Sequence, residues 1–155
     1  MKFPFKSFRT TLPVPSLGGA MFRRKPVISV VLTGPSGVLQ PDVLLDTGSD
    51  DVVFPMSFAP LLGAQLDPTT SRQAAGAGTR QPVGLLYAPM ILEVKDAVQA
   101  CRWRAVVAFT TAKLIFPLFG FAGGLQYFRT ICDMDADEIV LDPRASLPAT
   151  QAAVP

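Results

Sequence analysis

The stretch Val43-Leu44-Leu45-Asp46-Thr47-Gly48-Ser49-Asp50-Asp51-Val52-Val53-Phe54 decides how the rest of the chain is read. An apolar run ends in a carboxylate, a short polar turn follows, and apolar sequence resumes. A charge at the end of a buried strand has to be hydrogen-bonded, paired or protonated, because the interior does not solvate it. Gly48 lets backbone approach the turn closely. The hydroxyls of Thr47 and Ser49 are placed to lock the neighbouring carboxylates.

Working outward, the flanks are β-type. Residues 25–33 are rich in Val and Ile and end at the turn Gly34-Pro35-Ser36-Gly37. Residues 38–45 and 51–54 form short runs on either side of the polar turn. Residues 83–95 are long and apolar. Residues 99–109 alternate, Cys101, Trp103 and Ala105 facing one way and Arg102 and Arg104 the other. Residues 129–133 and 138–141 read as two strands around the acidic turn Asp133-Met134-Asp135-Ala136-Asp137. Helical signal is confined to 59–62 and 123–128. The 15 prolines fit a mostly β domain with many turns.

Composition narrows the chemistry. The 155 residues are 49% apolar and 17% charged, which is a core-forming chain of one domain's size. A net charge of +2 makes no case for nucleic acid. There is no His, which removes Ser-His-Asp and Cys-His catalysis and any zinc site that needs imidazole. The 2 cysteines, Cys101 and Cys132, are too few for a disulfide scaffold or a four-cysteine metal site, and both read as small buried thiols. No metal and no cofactor are expected, and what remains is carboxylate chemistry.

The first acidic residue is Asp42, so the first 41 residues carry only positive side chains. Residues 1–20 read as a basic, Pro-rich arm, either a loosely packed extension or a segment that meets an acidic partner or a second subunit. Residues 144–155 read as a flexible tail, leaving 21–143 as the domain proper. No secretory leader is legible, so a reducing cytoplasm is the expected compartment. The most apolar stretch, 105–128, is split by Lys113 and broken by Pro117, Gly120, Gly123 and Gly124. A bilayer span wants about 20 apolar residues, so a core strand, loop and short helix are expected there and no membrane contact.

The segment around Asp46-Thr47-Gly48 resembles the active-site loop of the aspartic proteases, in particular the single-domain, retroviral-type (retropepsin-like) branch. Leu44-Leu45 and Asp50-Asp51 extend the match on both sides. Ala75-Gly76-Ala77-Gly78-Thr79 stands where that family has its Gly-rich flap tip, with the run 83–95 as the strand leaving it. Leu118-Phe119-Gly120, then 123–128, then 129–133 repeat the family's hydrophobic-hydrophobic-Gly element, short helix and last strand in order. The resemblance implies a small closed β-barrel-like acid-protease fold with a flap hairpin and one short C-terminal helix. One departure stands out: Phe121 occupies the place where the family often has an Arg that pairs with an acid of the loop. Arg9, Arg23 and Arg24 are then the candidate partners of Asp50.

The resemblance also implies roles. Asp46 would be catalytic, with Thr47 bonding across the paired loops and Gly48 accepting an extended substrate. Ser49, Asp50, Asp51, Gly76, Ala77, Gly78, Leu118 and Phe119 would meet substrate, as would Val52 and Val53 where they are not core. Ser49 would donate to the ionised Asp46. The chemistry needs two carboxylates, and the chain holds one Asp-Thr-Gly. A C2 homodimer that supplies Asp46 twice is therefore implied, acting on an extended peptide or protein. A protease-like dimer that binds peptides or assembles without cleaving would carry the same residues.

Other motifs resolve more plainly. The acidic run 133–138 lacks the Gly at position six of a calcium loop, which leaves a hairpin turn. Gly34-Pro35-Ser36-Gly37 lacks the Gly-Lys-Ser/Thr of a phosphate loop. Arg102-Trp103-Arg104 reads as a half-buried strand with solvated arginines.

Overall fold

The computed structural model describes residues 1–74 and 82–153. The architecture is mostly β. In chain order the strands are β1 (Lys2–Pro4), β2 (Lys6–Val14), β3 (Ala20–Lys25), β4 (Val27–Ser29), β5 (Val31–Thr33), β6 (Val38–Leu39) and β7 (Asp42–Leu45). After them come β8 (Val53–Pro55), helix α1 (Phe58–Leu62), β9 (Asp67–Ala74), β10 (Val83–Lys95), β11 (Gln99–Thr110) and β12 (Leu118–Phe119). The chain ends with β13 (Phe128–Asp133), β14 (Glu138–Pro143) and β15 (Ala149–Ala153).

The long pair β10–β11 is the spine. Its alternation is the one legible in sequence: Cys101, Trp103, Ala105 and Val107 are buried, and Arg102, Arg104 and Val106 are exposed. Asp96 closes the hairpin by accepting the N–H groups of Val98 and Gln99, each at 2.9 Å. Each long strand has two further neighbours. β10 takes β9 at its first half and β5 at its second, and β11 takes β15 and β8. The main sheet runs β4-β7-β12-β8-β11-β10-β5-β6. One large core, with Phe54, Leu92, Trp103, Phe109, Phe119 and Leu141 among its members, packs against the sheet. Helix α1 ends at Gly63, whose φ of +65° is one that glycine adopts without strain. The Gly34–Gly37 turn is clasped by that end, with Ser36 N–H on the Leu62 carbonyl at 3.0 Å.

Several expectations need correction. The first 20 residues are not a loosely packed extension throughout. β1 pairs with β14, Met1 and Phe5 are buried, and β2 pairs with β3 as a hairpin. Two of their basic groups find acids of the same chain, Lys2 with Glu138 at 3.0 Å and Lys6 with Asp42 at 2.7 Å, and Arg24 of β3 pairs with Asp137 at 3.2 Å. As far as Ala153 the tail is likewise built in, since Leu147 is buried and β15 lies along β11. The expected C-terminal helix is only a 3₁₀ turn, Leu125–Tyr127. Gly123 (φ +78°) and Gly124 (φ −127°, ψ −103°) hold non-helical conformations that keep the helix from starting earlier. Cys101 is buried as expected, but Cys132 is exposed on β13, and both are free thiols. Among the described residues, no helix is long and apolar enough to cross a membrane.

Candidate active site

Asp46 follows directly on β7. Strand β12 slots between the two strands that flank the 46–52 loop, parallel to β7 (Leu118 opposite Leu44, Phe119 opposite Leu45) and antiparallel to β8 (Leu118 opposite Val53). The loop is therefore held from within by main-chain bonds. Asp46 N–H donates to the Phe119 carbonyl at 3.2 Å. Past β12, Phe121 N–H donates to the Ser49 carbonyl at 2.9 Å, and Ala122 N–H to that of Asp50 at 2.7 Å. Gly120 is required by this clasp: a Cβ there would collide with the Asp51 carbonyl and stand 2.6 Å from the Ser49 carbonyl oxygen. The Leu118-Phe119-Gly120 element is thus the mechanical support of the loop.

Asp46 is half-buried, and Thr47 and Gly48 are exposed. Asp46 Oδ1 accepts the Gly48 N–H at 2.9 Å, an Asx-turn that orients the carboxylate. Among the described residues no other hydrogen bond and no ion pair reaches that side chain. The Ser49 hydroxyl does not donate to Asp46. It donates to the Asp51 carbonyl at 2.8 Å, so within one chain its role is to shape the loop. Thr47 and Asp50 present side chains that form no hydrogen bond among the described residues. None of the three candidate arginines pairs with Asp50, and Arg24 is engaged with Asp137 and the Met134 carbonyl.

Asp51 is fixed instead by a residue that sequence reading left unassigned. Tyr87, on β10, donates its hydroxyl to Asp51 Oδ2 at 2.7 Å. Burial, then the hydrogen bond to Asp51 and the charge of Asp51, push the Tyr87 hydroxyl up to about 12, so it stays a neutral donor. The available signal was a single polar aromatic inside the apolar run 83–95, two residues from Leu85 and therefore on its face.

The apolar candidates separate. Phe119 and Val52 are fully buried, Phe119 edge-on to Trp103 with ring centroids 6.4 Å apart, so both belong to the core. Leu118 is half-buried in a second, smaller cluster with Val53, Leu85, Ala108 and Leu114, beside Tyr87. That cluster is the apolar ground next to the loop. β9 and β10 pair antiparallel as far as Ala74 and Val83. Gly76, Ala77 and Gly78 lie outside the described residues.

No family model matches the chain, and no curated protein matches it. Among solved structures the chain is similar to EIAV protease complexed with the inhibitor HBY-793, at 18% identity and a TM-score of 0.43, over 62% of this chain and 81% of that one.

Proposed function

We propose that the chain is a retropepsin-like aspartic endopeptidase that works as a C2 homodimer. The observation that carries this reading is the loop itself. Asp46 stands at the end of β7 in a turn clasped by β12, beside exposed Thr47 and Gly48 and an apolar cluster, and the chain offers no second such loop. One such carboxylate cannot both activate a water and protonate an oxyanion, and a two-fold axis beside the exposed face of the turn supplies the other.

In that arrangement two carboxylates about 3 Å apart repel by roughly 5 kcal/mol at an effective dielectric near 20, so they share one proton. The ionised Asp46 takes a proton from the bridging water, whose oxygen attacks the peptide carbonyl carbon. The protonated Asp46 of the second copy gives its proton to the developing oxyanion. Collapse of the tetrahedral intermediate breaks the C–N bond as the first Asp46 passes the water-derived proton to the amine and the second copy's Asp46, now ionised, takes a hydroxyl proton back. Thr47 bonds across the two loops, and the substrate lies extended along the loop backbone. Leu118 and Val53 floor it.

The test is digestion of an unfolded protein from pH 3 to 7 by wild type and by Asp46→Asn, with and without a general aspartic-protease inhibitor. The reading expects acid-side cleavage that Asp46→Asn and the inhibitor both abolish. Equal breakdown by the two proteins would remove it, and intact substrate with retained peptide binding would favour the non-cleaving module.

A further inference from the structure

A single exposed apolar side chain is ordinary on a protein surface, so its position decides whether it matters. Leu12, Leu17 and Phe22 stand on the β2–β3 hairpin, Val98 in the β10–β11 turn and Ile115 in the loop before β12. Phe121 is placed differently. It is 56% exposed, and among the described residues it is the one large exposed apolar residue whose main chain bonds to the 46–52 loop. The backbone there is pinned. Phe121 N–H donates to the Ser49 carbonyl at 2.9 Å, and the Phe121 carbonyl accepts the N–H groups of Gln126 at 3.0 Å and Gly124 at 3.2 Å. Ala122 continues alongside the loop in a parallel bridge to Asp51. The ring therefore stands on a fixed base, and covering it costs a partner little in ordering.

Distance places this ring near any axis that completes the site. Ser49 N–H donates to the Asp46 carbonyl at 3.2 Å, which closes a turn. The Cα atoms across such a turn lie less than about 7 Å apart, and those of hydrogen-bonded neighbouring segments about 5 Å. The Cα of Phe121 is thus within about 12 Å of that of Asp46. A two-fold axis that brings two Asp46 carboxyls to about 3 Å runs directly beside that residue. An interface of standard size covers about 800 Å² on each partner, a disc of about 16 Å radius. An exposed ring this close to the axis falls within the disc.

We propose that Phe121 is the apolar anchor of the homodimer interface, its ring covered by the second copy of the chain beside the paired Asp46 loops. The inference rests on the homodimer reading and deepens it by naming the surface on which the copies meet: exposed Thr47 and Gly48 with the Phe121 ring at their side. Interface centres are poor in charge and rich in aromatic side chains, and a few such residues carry most of the binding energy. The resembled family often has an arginine at this position, so the anchor is this chain's own.

The experiment dilutes the full chain through its dissociation constant and follows its mass by sedimentation, beside Phe121→Trp, whose emission reports its surroundings. Trp103 is buried within the single chain and gives a background that wild type measures. Where mass shows dimers, the Phe121→Trp emission lies to the blue. On dilution it moves to the red, with the same midpoint as the mass. Phe121→Ala raises the dissociation constant about a hundred-fold, and Phe121→Leu raises it much less. Phe121→Arg weakens pairing at least as much as Phe121→Ala, because two like charges then stand near the axis. As single chains, Phe121→Ala and wild type unfold at the same urea concentration, since the ring is exposed there. Emission that stays red in the dimer, or a dissociation constant for Phe121→Ala within about three-fold of wild type, overturns the anchor and leaves the homodimer reading standing. Single chains at every concentration overturn both. Dimers that behave as expected, while Asp46→Asn digests protein as well as wild type, support the anchor and remove hydrolysis alone.

Discussion

At the scale of single residues, two positions carry the loop's shape. Gly120 has carbonyls of the loop where a side chain would begin. Gly120→Ala should lower stability by about 1–3 kcal/mol through overpacking, read as a shifted midpoint in urea, and should remove any cleavage because the turn moves. Tyr87 is the other. With Tyr127→Phe as background, its ultraviolet titration should lie near 12 and move down in Asp51→Asn, because the neighbouring charge goes while the burial stays. An unmoved titration would show that Asp51 does not hold the hydroxyl. Of these details, sequence made Asp46, Thr47 and Gly48 legible because an acid ending an apolar run is chemically conspicuous. The contacts of Ser49 and Tyr87 were not legible. The Ser49 hydroxyl can reach either of two neighbouring acceptors, and the Tyr87–Asp51 bond joins residues 36 apart in the chain.

At the scale of elements, β10 and β11 were plain because their alternation is driven by burial. β9, β2 and β15 were hidden for the opposite reason. Nearly every residue of β9 is exposed, β2 and β3 form a two-stranded sheet among the described residues, and β15 is a run of small and polar residues. Their pairing comes from a neighbour's free edge and leaves no apolar period. Trp103 joins the elements at the site: its Nε1–H donates to the Gly123 carbonyl at 2.9 Å, and its ring packs against Phe119, Tyr127 and Phe128. Trp103→Phe should cost about 1–3 kcal/mol, part lost packing and part an unpaired carbonyl, read by urea denaturation. The hairpin turn gives a pH-dependent counterpart. Burial alone would raise the Asp96 carboxyl, but the N–H groups of Gln99, Val98 and Lys2 and the Met1 ammonium outweigh it and hold it below its usual value. Such a group stabilises the fold above the ordinary carboxyl range near pH 4, and that contribution is lost as pH falls through the lower folded value. Asp96→Asn should therefore cost about 1 kcal/mol at pH 7 and much less near pH 2. A cost that is the same at both would contradict the assignment.

At the scale of the whole molecule, the basic N-terminal region is the instructive case. Its charge left open a loosely packed extension or an acidic partner, yet Glu138, Asp42 and Asp137 of the same chain take up Lys2, Lys6 and Arg24. Charge distribution along a sequence does not say which charges the fold will bring together. The same limit applies to the dimer, which is argued from a deficit: one Asp46 loop where the chemistry asks for two. Specific activity should therefore rise with protein concentration until dimers saturate. The most direct measurement mixes wild type with Asp46→Asn in varied proportion at fixed total concentration, allows subunits to exchange, and follows cleavage of an unfolded protein at acidic pH. If both copies must contribute Asp46, activity follows the square of the wild-type fraction, about a quarter at an equal mixture. Activity of about a half at that mixture, proportional to wild type alone, would mean that one Asp46 suffices and would contradict the shared reaction centre.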